Sequence, residues 1–128
     1  MLLPVSAPFH CALMAPAQER LRADLDATAF RDLECPLVNN RQAREVRTGA
    51  EAREGVYQQV PSPVRWMESV RYLAGRGVAR CVEVGAGGVL TGLLRGIDPA
   101  LAGVKFGEPA DREKVLGTVR PQPLGDRC

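Results

Sequence analysis

The chain has 128 residues, 45% of them hydrophobic and 25% charged, with 17 basic and 15 acidic side chains for a net charge of +2. That is one domain's worth of globular composition. No basic stripe with interleaved aromatics argues for nucleic acid, and no apolar run reaches the roughly 18 residues of a membrane span, so neither class of partner is expected. Residues 1–4 lack the charged start, apolar segment and cleavage site of a signal peptide, which points to the cytoplasm.

Val5 and its neighbours read as a short extended piece ended by Pro8. It leads to His10, the one histidine of the sequence, at the mouth of a helix. Pro16 suits a first helical turn, where its missing N–H costs nothing. Met14, Ala17, Leu21 and Leu25 then recur at helical spacing to about Thr28, with charged residues between them, which predicts an amphipathic helix. Residues 30–34 read as a connection. Pro36, Leu37 and Val38 make a short strand ended by the turn-prone pair Asn39-Asn40, and residues 44–48 a second extended piece.

Gly49 precedes a helix predicted from Ala50 to Val60, and Pro61 stops it. Ser62-Pro63 looks like the start of the next helix, with Ser62 as N-cap and Pro63 at the first position. Val64, Met67, Val70, Leu73 and Ala74 form its apolar stripe, widened by Trp66, and place Ser69 on the charged side. Gly77 is the expected C-cap. Residues 78–84 read as a strand running into Gly85-Ala86-Gly87-Gly88, then a short helix to about Arg95 and a last strand over 104–106. From Glu108 the pattern fades, and residues 111–128 read as a flexible tail behind a folded 1–110. Strands alternating with helices give an α/β arrangement with a short parallel sheet.

The glycine-rich turn sits where a phosphate could meet a helix N-terminus, but a dinucleotide fingerprint requires glycine at position 90, which is Leu. A tight strand-to-helix turn explains the glycines better. Cys11, Cys35, Cys81 and Cys128 are scattered, with no CxxC pair and no second histidine, so no metal site is expected. His10 is the natural candidate for a general base. No G-x-S-x-G elbow occurs to supply its nucleophile, and Ser6, Ser62 and Ser69 are all placed for other roles. Cys11 adjoins His10, which leaves a Cys–His hydrolase as an option.

Several stretches in register resemble the malonyl-CoA:acyl carrier protein transacylases of fatty-acid and polyketide synthesis. They are Leu3-Pro4-Val5-Ser6-Ala7-Pro8-Phe9-His10-Cys11-Ala12-Leu13-Met14, the Pro36–Asn40 stretch, Gln59-Val60-Pro61-Ser62-Pro63-Val64-Arg65-Trp66, and the segment from Glu83 through the glycines to Leu93. The resemblance covers about residues 3–109. It implies part of an α/β-hydrolase-like acyltransferase core, a short parallel sheet flanked by helices, without the family's ferredoxin-like subdomain. It implies malonyl transfer from CoA to the phosphopantetheine thiol of acyl carrier protein, with no further cofactor. His10 matches the family's general base, and Gln59 the residue whose backbone carbonyl orients it. The serine elbow, the malonate-binding arginine and part of the oxyanion hole precede the histidine motif in that family. The resemblance therefore implies a C-terminal portion that is inactive alone and has a missing N-terminal portion as a further partner. The alternative is a non-catalytic interaction module or a decayed gene product.

Overall fold

The structure, a computed structural model, describes residues 8–119. The expected extended approach over 3–7, Cys128 and the end of the expected tail lie outside them. The chain divides into two compact units, Met1–Tyr72 and Leu73–Cys128.

In the first unit, a 3-10 turn at Ala12–Met14 leads into α1 (Ala15–Ala27), with a proline in its first turn as expected. Two-residue strands β1 (Leu37–Val38) and β2 (Glu45–Val46) pair antiparallel, Leu37 opposite Val46. Helix α2 (Gly49–Gln59) follows, its first turn capped by the Thr48 hydroxyl accepting from the Glu51 N–H.

Helices α1 and α2 run in opposite directions. Gln18, near the start of α1, donates its amide N–H to the Tyr57 carbonyl near the end of α2 at 3.0 Å. At the other end Arg53 of α2 pairs with Asp26 and donates to the Leu25 carbonyl of α1. The sequence stripe is only partly used: Leu25 and the polar Gln18 are the buried residues of α1. The Gln18 amide is tolerated inside because its donor is spent on a carbonyl. The rest of this core is Ala43, Val46, Ala52, Tyr57 and Val70. Val46 and Val70 are almost wholly enclosed, and full burial of such a side chain is worth about 1.5–3 kcal/mol.

Helix α3 spans Trp66–Gly75. The expected cap at Ser62 is not formed. Ser62 instead closes α2: its hydroxyl donates to the Gln58 carbonyl at 2.6 Å and its N–H to the Gln59 carbonyl at 3.2 Å. Orphan carbonyls at a helix end are nearer to it than the orphan amides of the next helix. The expected polar placement of Ser69 also fails. Ser69 is buried, its hydroxyl donating to the Arg65 carbonyl, while Met67 is half exposed. A small serine that bonds back to its own helix can enter a tight contact that Met67 cannot.

The C-cap at Gly77 is as expected. Its φ is +84°, its N–H donates to the Ala74 carbonyl, and Val78 N–H donates to the Leu73 carbonyl, which is the Schellman pattern.

The second unit continues with β3 (Arg80–Val84), α4 (Val89–Ile97) and β4 (Ala102–Phe106). The two strands pair in parallel, Arg80 opposite Ala102 through Val84 opposite Phe106, giving a β–α–β unit. Gly103 lets α4 lie close on the sheet, since a Cβ there would meet the Thr91 methyl at 2.9 Å. Leu94, Leu101 and Val104 form the core beneath it.

Within the expected tail from 111, residues Arg112–Val119 form a regular helix, α5, which buries no residue. Glu108 and Asp111 build a reciprocal capping box around the 3-10 turn Pro109–Asp111 that starts it. The fold is mixed α/β with a short parallel sheet and helices, as the alternation of strands and helices implied.

Candidate functional site

His10 occupies a turn just before the 3-10 segment, with a backbone φ of +56°. A left-handed conformation is uncommon for a residue with a Cβ, so neighbouring contacts must hold it. The ring is exposed. Its Nδ1 lies 3.3 Å from the carbonyl oxygen of Gln59, 49 residues later. A carbonyl can only accept, so this contact selects the tautomer with the proton on Nδ1 and the basic lone pair on Nε2.

The antiparallel pairing of α1 and α2 explains why these residues meet. His10 lies just before α1 and Gln59 is the last residue of α2, so matching Gln18 to Tyr57 brings the ends together. Gln59 lies among the last four carbonyls of its helix, which lack helical partners. The end of α2 is closed by neighbours: Gln18 takes the Tyr57 carbonyl, Ser62 the Gln58 carbonyl, and Ser62 with His10 the Gln59 carbonyl.

Beside it, Tyr57 gathers a polar cluster. The Arg22 guanidinium sits 4.4 Å from the ring centroid, and the phenol hydroxyl donates to Glu19 while accepting from Arg22. Arg22 also pairs with Glu19 at 3.2 Å. The bonds from Arg22 first, then Tyr57, hold the Glu19 carboxyl below its usual range, and the bond to Glu19 pushes the Tyr57 phenol up.

Cys11, the alternative partner of His10, donates its thiol to the Pro8 carbonyl at 3.1 Å. The thiol is thus directed at its own turn, and the bond described for the His10 ring goes to Gln59. Ser62 and Ser69 spend their hydroxyls on carbonyls. No described cluster of three or more His, Cys, Asp or Glu could hold a metal ion. No described helix is long and apolar enough to cross a membrane.

The glycine-rich turn has its own occupant. Glu83 of β3 accepts from the N–H groups of Leu90 at 3.0 Å and Thr91 at 2.8 Å, and from the Thr91 hydroxyl at 2.7 Å. The Thr91 hydroxyl, then the amides, hold its carboxyl below the usual range. The anion position at the start of α4 is thus filled by the protein's own carboxylate, which explains why this turn is not a phosphate loop. Gly85 and Gly87, at φ +129° and +98°, make the turn possible.

Sequence reasoning missed a third feature. An open cleft of about 510 Å³ is lined by Arg41, Gln42, Arg44, Ser62, Pro63 and Arg65. Arg44 pairs with Glu51 and Arg65 with Glu68, so two of its three cations are already neutralised.

No protein-family model matches the chain. It is 41% identical over 114 residues to the malonyl CoA-acyl carrier protein transacylase of Escherichia coli (strain K12), covering 89% of this chain and 37% of that protein. The crystal structure of the acyl-carrier-protein S-malonyltransferase of Burkholderia pseudomallei 1710b matches with a TM-score of 0.85 at 37% identity, over 91% of this chain and 38% of that one. A structure of a holo type II PKS acyl-carrier protein in complex with its malonyl-transacylase matches with a TM-score of 0.83 at 35% identity, over 90% of this chain and 37% of that one.

Proposed function

We propose that this chain, which belongs with the malonyl CoA-acyl carrier protein transacylases and spans about 37% of the length of the curated relatives it matches, supplies the general base of malonyl transfer. The reaction moves a malonyl group from CoA to the phosphopantetheine thiol of acyl carrier protein in the cytoplasm, serving fatty-acid or polyketide synthesis. The observation that carries the reading is the His10 ring held at Nδ1 by the Gln59 carbonyl.

The chemistry follows from that orientation. Nε2 of His10 takes the proton of a serine hydroxyl as the oxygen attacks the malonyl thioester. The C–S bond breaks, and His10 returns the proton to the departing CoA thiolate. A malonyl-serine ester remains. Nε2 then takes the proton of the phosphopantetheine thiol, whose sulfur attacks the ester, and returns it to the serine oxygen. A carbonyl at Nδ1 takes the orienting place that a carboxylate holds in a Ser-His-Asp triad. No cofactor or metal is required. The serine comes from outside these 128 residues, which contain no G-x-S-x-G elbow. The β3–α4–β4 unit then forms part of an α/β-hydrolase-like core.

The test is a hybrid in which this chain replaces the matching segment of the Escherichia coli transacylase. Malonyl transfer from CoA to holo acyl carrier protein is expected, and His10→Ala in the hybrid should lower it by about 10²–10⁴-fold. An active hybrid that tolerates His10→Ala would remove the assignment.

A further inference from the structure

We propose that Gln18, Glu19, Arg22 and Tyr57 form a clamp that positions His10 against the Gln59 carbonyl, and that Gln18 and Tyr57 are positioning residues of the base. The inference rests on the reading of His10 given above.

Three observations carry it. The first is register. The Tyr57 and Gln59 carbonyls lie two residues apart at the end of one helix, and Gln18 holds the first while His10 reaches the second. Both contacts fix the same end of α2 to the same end of α1. The second is burial. Gln18 and Tyr57 are each about nine-tenths buried. The Gln18 amide therefore cannot exchange its carbonyl partner for water without cost. The third is strain. His10 holds a left-handed backbone in an exposed turn, so the turn has little of its own to fix the ring. The Arg22 guanidinium over the Tyr57 ring, tied to Glu19 and to the phenol hydroxyl, locks the near ends of both helices. Arg53, with Asp26 and the Leu25 carbonyl, ties the far ends and provides an internal comparison.

His10 is the only histidine in the sequence, so its ring nitrogens can be read in the intact chain without assignment ambiguity. The test is the Nδ1–H to Nε2–H tautomer ratio by ¹⁵N NMR, at a pH where the ring is neutral. A short peptide containing the histidine serves as the unconstrained reference. The parent chain should show an excess of the Nδ1–H form over the peptide. Gln18→Met, which keeps length but removes the donor, and Tyr57→Phe, which removes the hydroxyl, should each lower the ratio about two- to fivefold. Arg53→Gln should leave it at the parent value although it loosens the same helix pair.

Circular dichroism establishes that each variant read is folded, and the two clamp variants test the claim independently. Folded Gln18→Met and Tyr57→Phe chains that keep the parent ratio would overturn the clamp. So would an Arg53→Gln chain that loses the excess equally, because the effect would then be general loosening. A parent chain without any Nδ1–H excess would overturn the Gln59 contact itself, a failure distinct from that of the clamp.

Discussion

Helix α2 contains two glycines, and ordinarily Gly→Ala inside a helix gains about 0.5–1 kcal/mol. Gly49 should do the opposite. A Cβ at Gly49 would lie 2.3 Å from the Phe30 carbonyl oxygen, 2.6 Å from its carbon and 2.9 Å from the Arg31 carbonyl carbon. All three are backbone atoms, so relief means moving the connection by about 1 Å toward ordinary contact distance. That connection is pinned. Asp32 accepts from the Gly49 N–H at 2.9 Å, and Leu33 N–H donates to the Arg47 carbonyl at 2.8 Å. Overpacking costs about 1–3 kcal/mol, and each strained hydrogen bond about 0.5–1.5 more, against a propensity gain of at most about 1. Gly49→Ala should therefore lose about 2–4 kcal/mol, which lowers Tm by about 10 °C for a chain of this size. Gly92 in α4 is the contrast, since a Cβ there meets nothing within 4 Å. Gly92→Ala should raise stability by about 0.5–1 kcal/mol. Thermal and urea unfolding followed by circular dichroism measure both. A Gly49→Ala chain at least as stable as the parent would refute the close-approach argument.

Thr48→Ala removes the hydroxyl that accepts the Glu51 N–H and should destabilise by about 1 kcal/mol, read as a lower urea midpoint at unchanged slope. Glu83 gives a pH signature. Its folded pKa is depressed by the Thr91 hydroxyl and the amides of Thr91 and Leu90. Its contribution is therefore present above the ordinary glutamate pKa of about 4.3 and lost as pH falls through the lower folded value. Glu83→Gln should flatten that part of the stability–pH curve, and a curve unchanged in steepness would count against the carboxylate as the cap of α4.

The regular elements were legible where one physical signal dominated. The period of α1, the Pro61 stop after α2, and Gly77 with its positive φ are local matters that the neighbouring residues decide. Ser62-Pro63 misled because the same hydroxyl can close one helix or open the next. The choice fell to the Gln58 carbonyl, which periodicity cannot weigh. Helix α5 was hidden because it buries no residue and so imposes no apolar pattern, and because its start is fixed by the Glu108–Asp111 box. For the candidate site, histidine chemistry marked His10, but nothing local connects it to a carbonyl 49 residues away. Gln59 entered only through resemblance to a family, since a backbone carbonyl leaves no mark on side-chain chemistry. Gln18 and Tyr57 had no signal at all. A polar residue on the inner face of an amphipathic helix is recognisable as functional only once its partner is known. Glu83 likewise became the occupant of the α4 N-terminus only when strand and helix were set side by side.

The proposed division of labour gives the proton transfer to a side chain, His10, and its orientation to a backbone carbonyl, that of Gln59. The direct measurement is malonyl transfer to holo acyl carrier protein by the Escherichia coli hybrid carrying His10→Ala or Gln59→Ala. His10→Ala should lose about 10²–10⁴-fold. Gln59→Ala, which keeps the carbonyl, should retain activity within about threefold of the parent hybrid, less than a single neutral hydrogen bond is worth. Equal losses for the two variants, or transfer that survives His10→Ala, would contradict it.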